Sequence, residues 1–398
     1  MASNDNVVIA GGGIGGLSAA LALARKGFRV RVIEQAREIG GIGYGIQLGP
    51  NVFHALDRLG LSDAVRRASD SPEAAVWFDA YSGREVMRVE AGPGIVARFG
   101  YPYIIIHRGD LHVLLMDACR KVDAIAFTTG TPVAGYEEDG DGVAALTADG
   151  GRFAGAALIG ADGLRSKVRA QMTGATEPRF IGWVAHRTTI PTAQVPEGVN
   201  RDIVGLWGGE GFHIVHYPLR HGTLFNIVTV FRSPTYLQKV DRETFRAELR
   251  QTYARAHPVM KKLIDLTDLD WRGAVADRDP IRHWCRGSVT LMGDAAHPTL
   301  QSLAQGACMA VEDAVCLADL MEASGGDYPA AFRRFEAARA VRAARVILES
   351  RFMWTAFHAE GAAREPVQRR FGAMSRDQVW DSLAWLYDGF GRPASRRG

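Results

Sequence analysis

Residues Asn6–Gln35 read NVVIAGGGIGGLSAALALARKGFRVRVIEQ, and this stretch decides the fold. Val7 to Ala10 is a short, wholly apolar run, as expected of a strand buried inside a parallel sheet. Gly11, Gly13 and Gly16 follow in the order GxGxxG. In a strand-to-helix turn the first glycine permits the tight bend, the second lets backbone approach a pyrophosphate, and the third lets helix pack on strand. The helix predicted from about Ile14 to Arg25, through Gly15, points its free N–H groups at such a phosphate. Gly27 closes that helix. The next strand, RVRVIE, ends on Glu34, whose carboxylate suits both hydroxyls of an adenosine ribose. Strand, turn, helix, strand and terminal acid together point to a dinucleotide. A glycine-rich turn in another βα unit is the competing reading, and the acid alone does not separate flavin from nicotinamide dinucleotides.

The 398 residues exceed one typical domain and predict two intimately packed domains with a C-terminal segment. A net charge of +3 with no long basic run argues against nucleic acid. Cys119, Cys285, Cys308 and Cys316 form no CxxC pair and no zinc spacing, and are expected reduced in cores, as in a cytoplasmic protein. The N-terminus lacks a basic segment and cleavage site, so no signal peptide is expected. No apolar run approaches the roughly 18 residues of a membrane span.

Two later stretches repeat the pattern of a short strand running into a polar turn. ALIGADGLRSKVR, Ala157–Arg169, carries Asp162 and Gly163 at the end of its strand. SVTLMGDAAHPTLQSLAQGACMAVEDA, Ser288–Ala314, runs through Gly293-Asp294 and His297-Pro298 into a helix predicted near Gly306 and Ala307. With GxGxxG, DG and GD in this order, the chain resembles the class A flavin-dependent aromatic hydroxylases, relatives of para-hydroxybenzoate and salicylate hydroxylases. DRDPIRHWCRGSVTLMGDAAHP is particularly similar to that family's pattern.

The resemblance implies an α/β fold: a discontinuous Rossmann-like FAD-binding domain with an inserted substrate domain on an antiparallel sheet, plus C-terminal helices. The expected FAD domain covers 1–75, 100–178 and 270–325, the substrate domain 76–99 and 179–269, and the helical segment 326–398. Asp294 would bind ribityl hydroxyls, and the helix starting near Gly306 would aim its positive end at the flavin's pyrimidine edge, favouring the reduced state. Asp162 and Arg108 would also contact FAD, Arg108 in its phosphate and ribose region. GGIGYGIQLGPNV, Gly40–Val52, resembles the flexible loop beside the flavin, with Gln47 close to the ring. Gln35 stands where the family commonly has Arg or Lys. No second GxGxxG exists, so NADH or NADPH would bind transiently, as in the family.

Between the later motifs, RFIGWVAHRTTI, DIVGLWG, FHIVHYPL and TLFNIVTVF read as strands, and RETFRAELRQTYARA as an amphipathic helix. From about Tyr328 the chain reads as a long helix carrying Phe332, Phe335, Ile347 and Phe352. Its many arginines read as a solvated face, with a homodimer contact as the alternative. The tail GRPASRRG is expected to be mobile.

On the strand GFHIVHYPL, period two puts His213, Val215 and Tyr217 on one face and His216 with Ile214 on the other. The spacing does not say which face is inward. Within the family, the 3-hydroxybenzoate 6-hydroxylases resemble this chain in a histidine and tyrosine four apart here and a glutamine after Asp-Ala-Ala-His-Pro. That resemblance assigns His213, Tyr217 and Gln301 to the substrate pocket and makes His216 structural or superficial.

The implied reaction is NADH reduction of FAD, addition of O2 at flavin C4a, and transfer of the distal hydroperoxide oxygen to a ring activated by a base. With 3-hydroxybenzoate as the aromatic acid the product is gentisate. His213, near its ordinary pKa of about 6.5, would be that base. Tyr217 would hold the carboxylate or phenol oxygen, and Gln301 would orient the substrate or the peroxide. Salicylate 1-hydroxylation and 6-hydroxynicotinate 3-hydroxylation are the rival activities, and a flavin-binding protein without hydroxylase activity is the rival class. No WxWxIP segment supports a flavin halogenase.

Overall fold

A computed structural model describes residues 6–38, 43–138, 142–174 and 177–389. Part of the Gly40–Val52 loop and the GRPASRRG tail lie outside these residues. The glycine-turn unit forms as expected, with strands Asn6–Ala10 and Arg29–Ile33 flanking helix Ile14–Arg25. These strands lie in a six-stranded sheet ordered Cys285–Arg286, Val289–Leu291, Ala157–Gly160, Asn6–Ala10, Arg29–Ile33, Ile125–Thr128. All pairs are parallel except the first. The three motif strands are therefore immediate neighbours, and their turns leave the sheet at the same carboxyl edge. Ligands bind outside that edge in open α/β sheets. Strands Val133–Glu138, Val143–Thr147 and Arg152–Gly155, not anticipated from the sequence, make a separate meander.

The second sheet has seven strands, ordered Gly273–Asp277, Arg179–Pro191, Leu224–Arg232, Phe212–Leu219, Val204–Gly209, Ala74–Asp79, Glu85–Glu90. It is mixed rather than antiparallel, because Val204–Gly209 runs parallel to Ala74–Asp79. Those two strands come from distant parts of the chain, and no hairpin dictates their direction. One face packs Phe212, Ile214, Phe225, Ile227 and Phe231 against helices Arg242–Thr252 and Pro258–Ile264. The other face turns toward the first sheet.

Asp277 ties the edge of the second sheet to the C-terminal helix that carries Arg351. Its buried carboxylate accepts from Arg179 Nε and Nη2 at 2.7 and 2.9 Å and from Arg351 Nε at 2.7 Å. Next to it, Arg278 donates to the Leu164 and Glu177 carbonyls. The DRDP segment is thus a structural clamp.

Helix Tyr328–Phe357 corrects the reading of its arginines as a solvated face. Arg339 is fully buried; it donates Nε to Asp313 at 2.7 Å and forms an ion pair with Glu312, Nη1 standing 2.8 Å from the carboxylate, both on helix Gly306–Glu322. Arg342 reaches Glu312 at 2.9 Å. Asp313 also accepts from Gly293 N at 3.0 Å and His297 Nε2 at 2.5 Å. A cation can leave solvent here because two carboxylates share the site. Phe332, Phe335 and Ile347 are buried, whereas Phe352 is exposed on one stripe with Val341 and Leu348. Cys119, Cys308 and Cys316 are buried and Cys285 half-buried, all as free thiols. No helix among the described residues is long and apolar enough to cross a membrane.

Removing Arg339 takes one cation from two buried carboxylates, so Arg339→Met should cost about 3–5 kcal/mol. Exposed Arg345→Met should cost under about 1 kcal/mol. Burial pushes Asp313 and Glu312 up, but His297 and Arg339, and for Glu312 Arg339 and Arg342, hold both below their ordinary values. Groups depressed in this way stabilise the fold above their unfolded values and lose the contribution as pH falls through the folded ones. The difference between wild type and Arg339→Met should therefore hold from neutrality to about pH 4 and shrink below it. Denaturant titration at several pH values checks both; equal midpoints at pH 7 would sink the assignment.

Candidate active site

A cavity of about 610 Å³ lies between the two sheets, within the range of ligand sites. Its floor is the carboxyl edge of the parallel sheet. Gly13, Ile14, Gly15, Ala161, Gly163 and Met292 to Asp294 line it there. Gly306 and Ala307, at the start of helix Gly306–Glu322, line it alongside Ala304. Ala304 adopts a left-handed conformation at φ 54° just before that helix.

The three glycines differ in what they permit. Gly11 has φ 107°, and a β-carbon there would stand 2.4 Å from the Ala161 carbonyl oxygen. A β-carbon on Gly16 would stand 1.9 Å from the Gly11 oxygen. Gly13 lines the cavity, and a β-carbon there would meet no protein atom within 4 Å. Its bareness therefore serves no packing within the chain; it suits close approach of a phosphate to the helix N-terminus.

Other cofactor candidates fall into two groups. Gln47, Arg108 and Asp294 line the cavity. Arg108 is the first residue of helix Arg108–Arg120 rather than a loop residue before it, and His107 caps that helix. Enclosure pushes the Asp294 carboxyl above its ordinary value, opposed by His297 and Arg108. Asp162 and Glu34 are used differently. The Asp162 carboxylate folds its own turn, accepting from Ser166 Oγ at 2.5 Å and Lys167 N at 2.7 Å, while its neighbours Ala161 and Gly163 line the cavity. Glu34 accepts from Gly12 N at 2.7 Å and Ala36 N at 2.8 Å, which steadies the glycine turn. Each of its oxygens keeps a second lone pair for a ribose hydroxyl.

Register builds the roof. Leu206 pairs with Val215, Val215 with Val228, and Val228 with Arg187, so these four form a row across the sheet. All four line the cavity, with His213 and Tyr217 on either side of Val215 on the same strand face. His216 lies on the opposite face, in the core, where its Nε2 accepts from the Trp207 indole at 3.0 Å. It is structural and buried.

The expected trio meets at this roof. Gln301, in the turn Gln301–Leu303, accepts from Arg187 Nη2 at 3.0 Å. The Tyr217 hydroxyl bonds Gln47, which also accepts from Tyr103. Burial pushes the Tyr217 phenol up to about 12, so it remains a donor at neutral pH. The expectation that His213 titrates near 6.5 fails: burial, then His358, holds its imidazole well below that value. His213 is a neutral acceptor here rather than a group poised at half-protonation.

Several residues were missed in the sequence. Arg187 stands half-buried in the roof, and its electrostatic neighbours are Tyr217, Arg108 and Tyr44, with no carboxylate among those described. A charge inside an apolar strand was the available signal. Phe357, the last residue of the long helix, lines the cavity, and His358 just after it bonds His213 at 2.8 Å. Arg169, also buried, donates to the Ala295 and Ala296 carbonyls at 3.0 and 2.8 Å and so fixes the GD turn.

The glycine geometry predicts two distinct phenotypes. Gly13→Ala replaces one helix cap by a poorer one, costing about 1 kcal/mol of stability, but should weaken FAD at least about tenfold, or 1.4 kcal/mol. Gly16→Ala forces a backbone clash and should lower the unfolding temperature far more. Thermal unfolding and flavin titration separate them; an unchanged FAD affinity in Gly13→Ala would contradict the cradle.

Comparison with known proteins agrees with this geometry. A family described as FAD binding domain matches residues 4–350. A 3-hydroxybenzoate 6-hydroxylase of Polaromonas naphthalenivorans (strain CJ2) is 42% identical over 381 residues, 96% of this chain and 95% of its own length. A 6-hydroxynicotinate 3-monooxygenase of Bordetella bronchiseptica is 35% identical, over 87% of this chain and 90% of its own. Klebsiella pneumoniae HpxO, solved with FAD and uric acid, superposes with a TM-score of 0.85 at 29% identity, over 97% of both chains. A cradle bare of β-carbons, an acid beside it and a covering sheet are what an FAD site requires, and the chain belongs to the class A flavin-dependent aromatic hydroxylases.

Proposed function

We propose that this protein is a monooxygenase that hydroxylates 3-hydroxybenzoate para to its hydroxyl, giving gentisate. The observation that carries the reading is Arg187, a cation in the cavity roof whose described neighbours include no carboxylate. An enclosed guanidinium stays protonated and is costly without an anion. The carboxylate of an aromatic acid is the partner it lacks. His213 and Tyr217 on the same roof, with Gln301 beside it, line the cavity to hold the phenolic end. The names of relatives at 37–42% identity support the same substrate.

When bound, FAD would supply the oxygen-activating redox chemistry, with NADH or NADPH as the reductant. Gly11, Gly13 to Gly16, Glu34, Arg108, Asp294, Gly306 and Ala307 would hold it, with Gln47 at the ring. Asp162 would act by shaping the DG turn. The chain's own residues do the rest. Arg187 fixes the carboxylate and with it the orientation of the ring. Tyr217 donates to a substrate oxygen, and Gln301, already held by Arg187, orients the ring. His213 accepts the phenol proton, which raises electron density ortho and para to that oxygen. The sheet roof keeps water from the reacting atoms.

In this reading residues 1–75, 100–178 and 270–325 serve FAD, while 76–99 and 179–269 cover the substrate. The helices from 326 complete the substrate wall, because Phe357 lines it. The protein would act in the cytoplasm, and the exposed stripe Val341, Leu348 and Phe352 is the face for a homodimer. The 6-hydroxynicotinate reading has one observation behind it: that substrate also carries a ring carboxylate for Arg187, and a relative 35% identical is named for it.

Reduced-cofactor consumption with 2-, 3- and 4-hydroxybenzoate and 6-hydroxynicotinate, with product analysis, tests the substrate. Gentisate from 3-hydroxybenzoate is expected; its absence ends the proposal. Hydrogen bonds to charged groups contribute about 1.5–3 kcal/mol. Arg187→Gln should therefore bind 3-hydroxybenzoate about 10- to 100-fold more weakly while hardly changing affinity for neutral 3-hydroxybenzamide. His213→Asn should divert reducing equivalents to H2O2, whereas His216→Asn should lower stability and leave coupling intact. Equal uncoupling in both would contradict the two-face assignment.

A further inference from the structure

His213 does not stand alone. Its Nδ1 lies 2.8 Å from Nε2 of His358, and Nδ1 of His358 lies 2.6 Å from the carbonyl oxygen of Trp354. Both rings are buried, at 2% and 6% exposure, and Trp354 stands edge-on to His213 with centroids 5.3 Å apart. His358 follows the last residue of helix Tyr328–Phe357, so the Trp354 carbonyl is one left without a helical partner at that end.

A carbonyl oxygen only accepts. The proton in the lower bond must therefore sit on His358 Nδ1. Burial pushes His358 down to about 3, with the Trp354 carbonyl opposing and Arg232 adding to the drop, so the ring carries one proton at neutral pH. Its Nε2 is then an acceptor, and the proton between the rings belongs to His213 Nδ1. His213, also neutral, is left with a bare Nε2.

We propose that His358 is a positioning residue: it locks His213 in the tautomer protonated at Nδ1, which keeps Nε2 unprotonated for the substrate's phenolic hydrogen. This rests on the reading of the cavity as a phenol site. In the proton step the phenol O–H bond breaks and an Nε2–H bond forms. The electron pair stays on the phenolate oxygen and conjugates into the ring. The new imidazolium keeps its Nδ1–H on His358 Nε2, and net charge is unchanged. The opposite tautomer would present N–H to the phenol and could take no proton. His216 shows that the fold sets tautomers separately on each face, since the Trp207 indole donor forces its Nε2 to accept.

The test is 15N NMR of the FAD-loaded, histidine-labelled protein without substrate, with His213 assigned by its loss in His213→Asn. Wild type should show His213 protonated at Nδ1 and pyridine-like at Nε2. His358→Phe should move the proton to Nε2 and lower the hydroxylation kcat about a hundredfold, the scale of general-base catalysis, with KM little changed. His358→Gln, whose amide oxygen can take the same hydrogen bond, should keep the Nδ1–H tautomer and restore most of kcat. A wild-type His213 protonated at Nε2 overturns the proposal. So does a His358→Phe enzyme with unchanged tautomer and kcat. Should His358→Phe not fold, the wild-type spectrum and His358→Gln decide. An Nδ1–H tautomer in an enzyme inactive on 3-hydroxybenzoate upholds the lock and removes only the substrate reading.

Discussion

The carboxylate of Asp313 accepts from the Gly293 backbone, from His297 and from Arg339, all without contact with solvent. These three donors belong to the GD turn, the segment after it, and the long C-terminal helix. Asp313 itself lies on the helix whose first residues line the cavity. One buried anion thus fixes a cofactor-facing turn, a cofactor-facing helix and the direction of a third element. Such a centre is stable only while every charge keeps its partner, so these elements hold their places together.

The long helix turns that constraint into a substrate site. Arg339 and Arg342 anchor its middle to the cofactor side, and Arg351 ties it to Asp277, which also holds Arg179 of the roof sheet. Its end then delivers Phe357 to the cavity and His358 to His213. The segment expected as a C-terminal addition is thereby bonded both to the cofactor-facing helix and to the roof sheet. The roof row of Leu206, Val215, Val228 and Arg187 depends on strand register, which a one-residue slip would invert.

Much of this was legible in the sequence where the signal is local. The GxGxxG turn, the strands ending at Asp162 and Asp294, and the division of His213 from His216 follow from short-range periodicity and turn chemistry. The rest was not legible because its meaning depends on partners far along the chain. Arg339 looks like its solvated neighbours until Glu312 and Asp313 face it. Arg187 is one charge inside an apolar strand until the register places it over the cavity. Asp162 fits a cofactor motif, yet its carboxylate is spent on its own turn. The pKa of His213 could not be read, since burial is a property of the packed site and not of the residue type.

The anchor of the histidine pair is a main-chain carbonyl. A carboxylate in that place could be lost to a single substitution, but no substitution at position 354 removes the peptide oxygen. The orientation of the proton is thereby encoded in a helix ending rather than in a side chain. Sequence drift at position 354 can alter the packing around the pair while leaving the polarity of the hydrogen-bond chain unchanged.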